Sequence, residues 1–387
     1  MKKKSKILIY FIISLLLLIF LIISFVPKII DIQHNKIRAG GPYLVSKESQ
    51  ELYNSLSFIA DMHCDALLWK RDLLRDNDFG QVDIPKMIKA NVGLQAFTIV
   101  TKSPKDQNYD NNTGDTDNIS SLYLVQGRPT SSLTNRAIMQ CRELFDFAEK
   151  SKGEFRVILS SEELSDFISD RVKNRKITAG FLGVEGAHAL DGKIENVQVL
   201  YDNGVRMMSA VHFFDNKLGS SAHGIKKEGL TEFGKAAILK MESLDMIIDI
   251  AHCAPKTIDD IIEIVNGPII SSHTGVRGTC DNSRNLSDKH LRAIANSGGI
   301  ISIAMFEEAV CGIDAAATAK AMKYTVDLVG VDFVSLGSDF DGSVTTPFDI
   351  TGLPLIVEEL QRVGFSDVEI KKIMGENVKN FLLKNLP

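Results

Sequence analysis

The chain has 387 residues, of which 44% are hydrophobic and 24% are charged, and its formal net charge is −5 at pH 7. This is the composition of a globular protein with a sizeable core, and the acidic balance argues against nucleic acid as a partner. The five cysteines are scattered without a C-x-x-C pair, which argues against a disulfide-stapled scaffold and against a structural zinc knuckle.

The N-terminus predicts a membrane-spanning helix. A basic stub at residues 1–6 carries Lys2, Lys3, Lys4 and Lys6, and an uncharged run of 20 residues follows over 7–26. About 20 apolar residues are enough to cross a ~30 Å hydrocarbon core as a helix. No small-residue cleavage site follows Val26, which favours an uncleaved anchor over a signal peptide. The lysines predict a cytoplasmic N-terminus, with the rest of the chain across the membrane.

Two later segments lack a sustained hydrophobic period. Residues 27–50, with Pro27 and Pro42, are predicted to form a stalk between the anchor and a globular domain at 51–387. Residues 102–128 are polar and rich in Asn, Asp, Gly and Ser. A loop of this length in a compact domain is either a functional lid or a disordered insertion, and the sequence leaves both open.

The rest of the chain alternates between apolar runs and helical patterns. Eight runs are predicted as strands, at 57–62, 92–100, 178–184, 204–211, 245–251, 267–272, 297–304 and 332–338. Helices are predicted at 131–150 and 161–173, between Phe233 and Leu244, and after a capping box that begins at Ser366. This alternation is typical of a parallel sheet, and eight strands suggest a closed barrel. The predicted fold is therefore α/β, a (β/α)8 TIM-like barrel preceded by a single N-terminal transmembrane helix.

Metal-ligand residue types stand at or just beyond the ends of six of these predicted strands: His63 and Asp65, Glu185, His212, His252, His273 and Asp339. Alone, each has an ordinary explanation, such as a buried core histidine for His252 or a buried, paired carboxylate for Glu185. In a (β/α)8 barrel, however, the catalytic residues come from the carboxyl ends of the strands. Their recurrence there predicts a metal centre on one rim of the barrel.

The number of donors predicts two metal ions rather than one. Three imidazoles and two or three carboxylates are too many for one tetrahedral zinc, and they suit two ions that share a bridging carboxylate and a bridging hydroxide. Glu185 is the predicted bridge, because its small neighbours leave room for metals close to the backbone. His63 and Asp65 then complete one site, and His252 and His273 the other. This leaves His212 and Asp339 for proton transfer and charge stabilisation.

These residues lie in motifs that together resemble the renal (membrane) dipeptidase family of zinc peptidases, in order from about residue 57 to 383. The motifs are Asp61-x-His63-x-Asp65, Gly183-Val184-Glu185-Gly186, Ser272-His273 followed by Arg284-Asn285-Leu286-Ser287-Asp288, Gly337-Ser338-Asp339-Phe340-Asp341-Gly342, and Gly375-Glu376-Asn377. The resemblance implies a TIM-like barrel with two Zn²⁺ per chain, bridged by Glu185 and completed by His63, Asp65, His252 and His273.

The resemblance also implies roles for three further residues. The position of His212 helps to bind substrate and to stabilise the tetrahedral intermediate, that of Arg284 binds the substrate carboxylate, and that of Asp339 handles the proton. A guanidinium is the best bidentate partner for a carboxylate, which fits the role of Arg284 independently.

The chain departs from the family pattern at a few positions near the site. Met62 and Cys64 stand where a small residue and an Asn are common, Ala187 replaces a frequent Gly, and Thr274 follows His273 where Ser is more usual. Cys64 is either a competing soft ligand or an inward-facing thiol. None of these changes removes a predicted ligand, so they bear on pocket shape and substrate preference.

The predicted function is a membrane-anchored, zinc-dependent dipeptidase in which a metal-bridging hydroxide attacks the peptide bond of a dipeptide. One alternative is a related binuclear metal amidohydrolase that acts on a lactam or an N-acyl amino acid. Another is a non-catalytic anchored binding protein, which the loss of a ligand would support, although no ligand is missing. The sequence leaves open the side-chain preference and the oligomeric state, including a homodimer.

Overall fold

The computed structural model describes residues 2–387, without the side chains of residues 2–5 and of Ser24. Most side chains of the predicted basic stub at 1–6 therefore lie outside what the structure describes. Over the described range the chain forms nine β-strands: β1 Ile59–Cys64, β2 Val92–Ile99, β3 Phe155–Val157, β4 Thr178–Val184, β5 Val205–Ser209, β6 Ile247–Asp249, β7 Ile269–Thr274, β8 Ile301–Ile303 and β9 Val334–Leu336.

Eight of the strands close into a parallel barrel, which confirms the predicted fold. The hydrogen-bonded order is β1-β2-β4-β5-β6-β7-β8-β9, and β9 pairs back with β1. Every residue of these eight strands is buried. They face side chains inside the barrel and helices outside it, which explains their near-continuous apolar sequences. The short β3, which the sequence did not predict, pairs in the structure only with β4 and extends the sheet on the outside.

Helices separate most of the strands and cover the barrel. The α-helices among residues 2–387 are α1 Lys2–His34, α2 Lys47–Ser55, α3 Ile84–Lys89, α4 Asn118–Gln126, α5 Leu133–Lys150, α6 Ser161–Lys173, α7 Glu195–Asp202, α8 Glu232–Glu242, α9 Pro255–Ile264, α10 Asp288–Asn296, α11 Glu307–Val310, α12 Ala315–Val329, α13 Pro354–Arg362, α14 Asp367–Lys371 and α15 Asn377–Asn385. The predicted capping box at Ser366 is present at the start of α14, where Glu369 completes it.

The first helix is long and apolar enough to cross a membrane. Its candidate span covers 29 residues, Lys6–His34, and the most apolar 18 residues have a mean hydropathy of 3.2 and are not buried against the rest of the chain. The predicted span over 7–26 lies entirely within this helix.

The structure differs from the predicted stalk at residues 27–50. The first part of this segment continues α1 as far as His34, and its last residues begin α2. Between them, the chain pairs with the barrel at Ile37 and Thr346. Asp31 and Asn35 are buried, and Asp31 forms an ion pair with Arg71. The segment is therefore packed on the barrel, and its polar sequence reflects this set of specific contacts.

The polar segment at 102–128 forms a wall over the carboxyl ends of the strands. It contains α4, and its loop is fastened to the opposite side by two hydrogen bonds from Asn112 to the backbone carbonyl of His223, at 2.9 and 3.0 Å. Of the two readings that the sequence left open, this arrangement favours a structure that covers the site.

Two of the five cysteines form a disulfide, Cys280–Cys311, and the other three are buried as free thiols. The disulfide joins the loop after β7 to the end of α11. The odd cysteine count had already required at least one unpaired thiol.

Candidate metal centre

All the residues predicted to form the site converge at the carboxyl ends of the strands. His63 lies within β1 and His273 within β7, and Glu185 comes directly after β4. Asp65 comes directly after β1, and Arg284 lies in the loop after β7. The remaining three, His212, His252 and Asp339, lie three residues beyond the ends of β5, β6 and β9. Each of these side chains is buried.

Short turns aim the residues that follow the strands. After β6, the Asp249 carboxylate accepts a hydrogen bond from the backbone N–H of Ala251 at 2.9 Å, which starts the turn that carries His252. After β9, the Asp61 carboxylate accepts from the backbone N–H of Ser338 at 2.8 Å, directly before Asp339. His252 and Asp339 both have positive φ angles, of 63° and 64°. This backbone conformation is strained for residues other than glycine, and such strain is found mostly at functional sites.

Glu185 is at the centre of the cluster. Its Oε1 is 2.8 Å from His252 Nε2, 3.4 Å from His273 Nε2 and 3.6 Å from His63 Nε2. Its Oε2 is 3.2 Å from His212 Nε2. The glycine that follows has a φ of 90°, and a Cβ there would come within 3.0 Å of the His188 and His212 side chains. Gly186 therefore lets the carboxylate and the imidazoles approach one another closely.

A buried hydroxyl sets the orientation of two of the imidazoles. Ser272 Oγ donates to Asp249 Oδ2 at 2.6 Å, so its lone pairs are available as acceptors. His63 Nδ1 lies 3.0 Å and His273 Nδ1 lies 3.1 Å from the same Oγ. Both rings therefore donate from Nδ1 and direct Nε2 towards Glu185. An imidazole whose other nitrogen is held in this way is the usual form of a metal ligand.

Asp65 and Asp339 complete the acidic side of the centre. Asp65 Oδ1 lies 3.6 Å and Asp339 Oδ1 lies 3.8 Å from His63 Nε2. Thr98 donates a hydrogen bond of 2.6 Å to Asp65, which fixes that carboxylate. Among the described residues, three groups have donor atoms close enough to hold one ion: His63 with Glu185 and His273, Glu185 with His212 and His252, and His63 with Asp65 and Asp339.

These three groups do not coincide with the two sets of ligands predicted from the sequence. His63 lies near donors of both predicted sites, and His212, predicted to contact substrate, is as close to Glu185 as the predicted ligands are. The thiol of Cys64, between His63 and Asp65, belongs to none of the three groups. It is buried in the apolar core instead, because successive side chains of a strand point to opposite faces. Burial raises its pKa well above the usual value and keeps it protonated.

Burial and mutual repulsion disfavour the charged forms of the carboxylates in the cluster. Burial, followed by the nearby Asp65, raises the pKa of Glu185 well above its usual value, and burial raises the pKa of Asp339 to about 8. Burial opposes the charged form of His63, but Glu185, Asp65 and Asp339 together raise its pKa to about 10. Burial lowers the pKa of His252 and His273 well below the usual value. A positive charge placed among these carboxylates would therefore stabilise their charged forms.

A cavity of about 470 Å³ opens from the cluster and contains Arg284. The guanidinium is held by the His273 carbonyl, which accepts from Nη2 at 2.7 Å, and its Nε has no partner among the described residues. Several lining residues were not predicted from the sequence: Arg38, Tyr109, Phe213, His223, Glu307 and Glu308. Two of them, Arg38 and Tyr109, lie in the segments at 27–50 and 102–128. Those segments have no hydrophobic periodicity from which the position of a side chain could be predicted.

The chain is similar to known proteins over most of its length. The sequence profile of a family described as membrane dipeptidase, peptidase family M19, matches residues 47–382. An uncharacterized protein in the pqqA 5′ region of Klebsiella pneumoniae is 30% identical over 244 residues, which cover 59% of this chain and 88% of that protein. An uncharacterized dipeptidase of Schizosaccharomyces pombe is 26% identical over 309 residues, which cover 76% of this chain and 70% of that protein.

The fold is also found among solved structures. A metallopeptidase of Rhodobacter sphaeroides, liganded with a phosphinate mimic of the dipeptide L-Ala-D-Ala, matches with a TM-score of 0.70 and 22% identity. The match covers 85% of this chain and 99% of that structure, and it includes the barrel.

Proposed function

The chain belongs to the membrane dipeptidase family, peptidase family M19, and on that basis we propose that it is a zinc-dependent dipeptidase with two zinc ions per chain. The observation that carries this proposal is the convergence of Glu185 with three imidazoles at a cavity that also contains Arg284. A metal centre and a fixed cation for a carboxylate are what a peptidase specific for short substrates needs.

The donor set fits zinc. Imidazole nitrogens and carboxylate oxygens are ligands that zinc prefers, and the donors here exceed those of one tetrahedral site. His63 Nε2 is buried without a hydrogen-bond partner among the described residues, and a cation would satisfy it. In the proposal, His63 and Asp65 would hold one ion, His252 and His273 would hold the other, and Glu185 would be shared between them. When bound, the zinc ions would polarise the scissile carbonyl and activate a water molecule.

The chain's own residues supply binding and proton transfer. Arg284 holds the free carboxylate of the dipeptide. His212 donates a hydrogen bond to the oxygen that becomes negative in the tetrahedral state, a role that suits a neutral ring, and burial lowers the pKa of His212 well below its usual value. Asp339 passes a proton to the leaving amine. Its Oδ1 lies 3.8 Å from His63 Nε2, beside the proposed ligands, and Asp339 also lines the cavity, so it is within reach of a bound substrate.

We test the activity with the purified full-length chain loaded with zinc. The substrates are Ala-Gly, its C-terminal amide, Ala-Gly-Gly and N-acetylalanine. The expected result is chelator-sensitive cleavage of Ala-Gly that zinc restores, slower cleavage of its amide, and no cleavage of Ala-Gly-Gly or N-acetylalanine. Cleavage of N-acetylalanine but not of the dipeptide would instead support the related amidohydrolase. Replacing Glu185 with Gln should abolish cleavage and weaken zinc binding, and full activity in that variant would contradict the bridging role.

A matched pair of variants tests the carboxylate-binding residue. Arg284→Met should lower kcat/KM for Ala-Gly about 100-fold, because two hydrogen bonds to a charged group are lost. Arg277 lies in the same loop but does not line the cavity, so Arg277→Met is the control. Arg284→Met should affect the amide much less than the acid, and equal losses on both substrates would contradict the role.

We also propose that α1 is an uncleaved anchor, with the N-terminus cytoplasmic and the barrel extracytoplasmic. Supporting this are the four lysines before the apolar run and the disulfide Cys280–Cys311, since disulfides persist mainly outside the cytoplasm. The proposed division is 1–6 basic stub, 7–26 span, 27–50 connecting segment and 51–387 catalytic barrel.

A further inference from the structure

A second cavity meets the first at the metal cluster. It has a volume of about 610 Å³ and lies between the end of α1, helix α4 and the strand ends. Six residues line both cavities: Asp65, Gln107, His212, Phe213, Gly342 and Ser343. A molecule bound at the cluster can therefore extend into either cavity.

The two cavities differ in chemistry. The first contains the charged residues Arg38, Arg284, Glu307 and Glu308. The second also has polar residues, among them Asp106 and Asn118, but one part of its wall is continuous and apolar: Ile30, Leu68, Trp69, Val100, Ile119, Leu122 and Val125. Most of these apolar residues belong to one buried cluster that packs beneath α4 and the end of α1. The second cavity, called the apolar cavity below, thus suits an uncharged group.

We propose that the apolar cavity binds a large apolar side chain on the N-terminal residue of the dipeptide. This inference rests on the proposed function, in which the scissile bond lies at the metal cluster. Arg284 lines only the first cavity, so the C-terminal residue occupies that side. The N-terminal residue then lies on the other side of the scissile bond, where the apolar cavity begins at Asp65, His212 and Phe213.

The wall of the apolar cavity is built partly from the anchor helix. Ile30 lies on α1, outside the residues 47–382 that match the family profile, and Leu122 lies on α4. The proposed preference is therefore a property of this chain with its anchor in place.

The test measures kcat/KM for Phe-Gly and Ala-Gly with the zinc-loaded full-length chain in lipid nanodiscs, where no detergent competes for the cavity. Glycine as the second residue removes any effect of stereochemistry there. Burying the larger side chain should favour Phe-Gly by about tenfold or more.

Two matched pairs of variants locate the preference. Leu122 packs against the apolar cluster, whereas Leu124 on the same helix is 72% exposed and lines neither cavity. Leu122→Asn should reduce the ratio of the two kcat/KM values about tenfold, and Leu124→Asn should leave it unchanged. The second pair repeats the comparison on α1, in case one variant fails to fold. Ile30→Asn is the test variant, and Ile29→Asn, at the exposed neighbouring residue, is its control.

The outcomes are distinct. Wild-type enzyme that cleaves both dipeptides without preferring Phe-Gly overturns the inference but leaves the proposed function standing. A variant that lowers both kcat/KM values by the same factor, and so keeps the ratio, shows a structural role for that residue and also counts against the inference. Cleavage of neither dipeptide overturns the proposed function and the inference with it.

Discussion

The hydroxyl of Ser272 connects two metal-ligand candidates to one buried carboxylate. It donates to Asp249 and accepts from Nδ1 of His63 and of His273, which come from β1 and β7. One side chain thus fixes the tautomer and the rotation of two rings that are 210 positions apart in the chain. Residues in such a position commonly change metal affinity 10- to 100-fold when they are replaced.

Replacing Ser272 with Ala should therefore weaken zinc binding about 10- to 100-fold, because both imidazoles lose the acceptor that orients them. Competition with a zinc indicator measures the affinity. Among the residues that the structure describes, the neighbouring hydroxyl of Ser271 bonds only to the His273 carbonyl, at 3.3 Å. Ser271→Ala therefore serves as the control and should bind zinc nearly as well as wild type. Equal affinities in wild type and Ser272→Ala would contradict the orienting role.

Zinc binding should also depend on pH. In the metal-free cluster, the carboxylates raise the pKa of His63 to about 10, and burial raises that of Asp339 to about 8, so both groups hold protons at pH 7. A cation must displace these protons. Raising the pH removes them and weakens the competition, so the apparent affinity should rise between pH 6 and pH 8, by up to about tenfold per pH unit for each proton released. Calorimetry in buffers of different ionisation enthalpy counts the protons, and an affinity independent of pH would contradict the prediction.

The sequence predicted the ligand candidates but not the residues that orient them. His63, Glu185 and His273 are residue types with few other uses at the end of a strand. Asp249 and Ser272 are common in turns and strands, and their role depends on β6 and β7 lying side by side, with Asp249 opposite Ile270. A carboxylate inside the apolar run of β6 was the only available signal.

At the scale of elements, the end of α1 supports the loop that carries Asp339. Arg71, fully buried, lies 3.0 Å from Asp31 on α1 and 2.9 Å from Asp341 in that loop. Asn35 accepts a hydrogen bond from the backbone of Ser343 at 3.0 Å. Asp339, Asp341 and Ser343 all have φ near +60°, a conformation that persists only where surrounding contacts enforce it. The anchor helix supplies some of those contacts.

Replacing Asp31 with Ala should destabilise the protein by about 3 kcal/mol, because it removes one of the two carboxylates that neutralise a buried guanidinium. The single tryptophan, Trp69, donates to the Asp341 carbonyl at 2.6 Å, so its fluorescence during unfolding reports on this junction.

The control for Asp31 is Asp78, which pairs with α1 at Lys28 through a side chain that is 85% exposed. Asp78→Ala should change the stability by less than about 0.5 kcal/mol. If the two variants unfold alike, the buried network does not hold the helix to the barrel. The kcat of Asp31→Ala should also fall, since the loop of Asp339 loses part of its support.

The predicted strands match the barrel because burial on both faces leaves continuous apolar runs, as in β2 and β4. The sequence analysis overestimated the length of the short strands. The run predicted at 297–304 contains only Ile301–Ile303 as β8, since its flanking apolar residues are buried in turns. It missed β3, whose three residues pair on one side only. It also missed the docking of residues 27–50, because a set of single polar contacts has no period to detect.

At the scale of the whole molecule, the active site lies close to the proposed membrane. The predicted span ends at Val26, and Ile30, four residues later on the same helix, already lines the apolar cavity. Four residues of helix rise about 6 Å. The rim of the barrel that holds the metal cluster is therefore the rim next to the anchor, and substrates reach the site near the membrane surface.

The same continuity predicts the topology. Because α1 runs unbroken from the lysine stub into contact with the barrel, a bilayer around residues 7–26 must separate the two. With the lysines cytoplasmic, the disulfide Cys280–Cys311 lies in an oxidising compartment. In sealed cells, an impermeant maleimide should label the protein only after reduction, and at Cys311, which is exposed; the remaining thiols, Cys64, Cys141 and Cys253, are buried.

A Cys280→Ser, Cys311→Ser double variant should stay unlabelled in sealed cells with or without reductant, which assigns the signal to this pair. Labelling of the wild type that needs no reductant would mean that the disulfide does not form. Labelling that appears only after the membrane is permeabilised would place the barrel in the cytoplasm and reverse the orientation. The expected pattern combines both properties, an oxidised pair and a barrel outside the cytoplasm, as is expected of a chain that crosses the membrane once with its lysines on the cytoplasmic side.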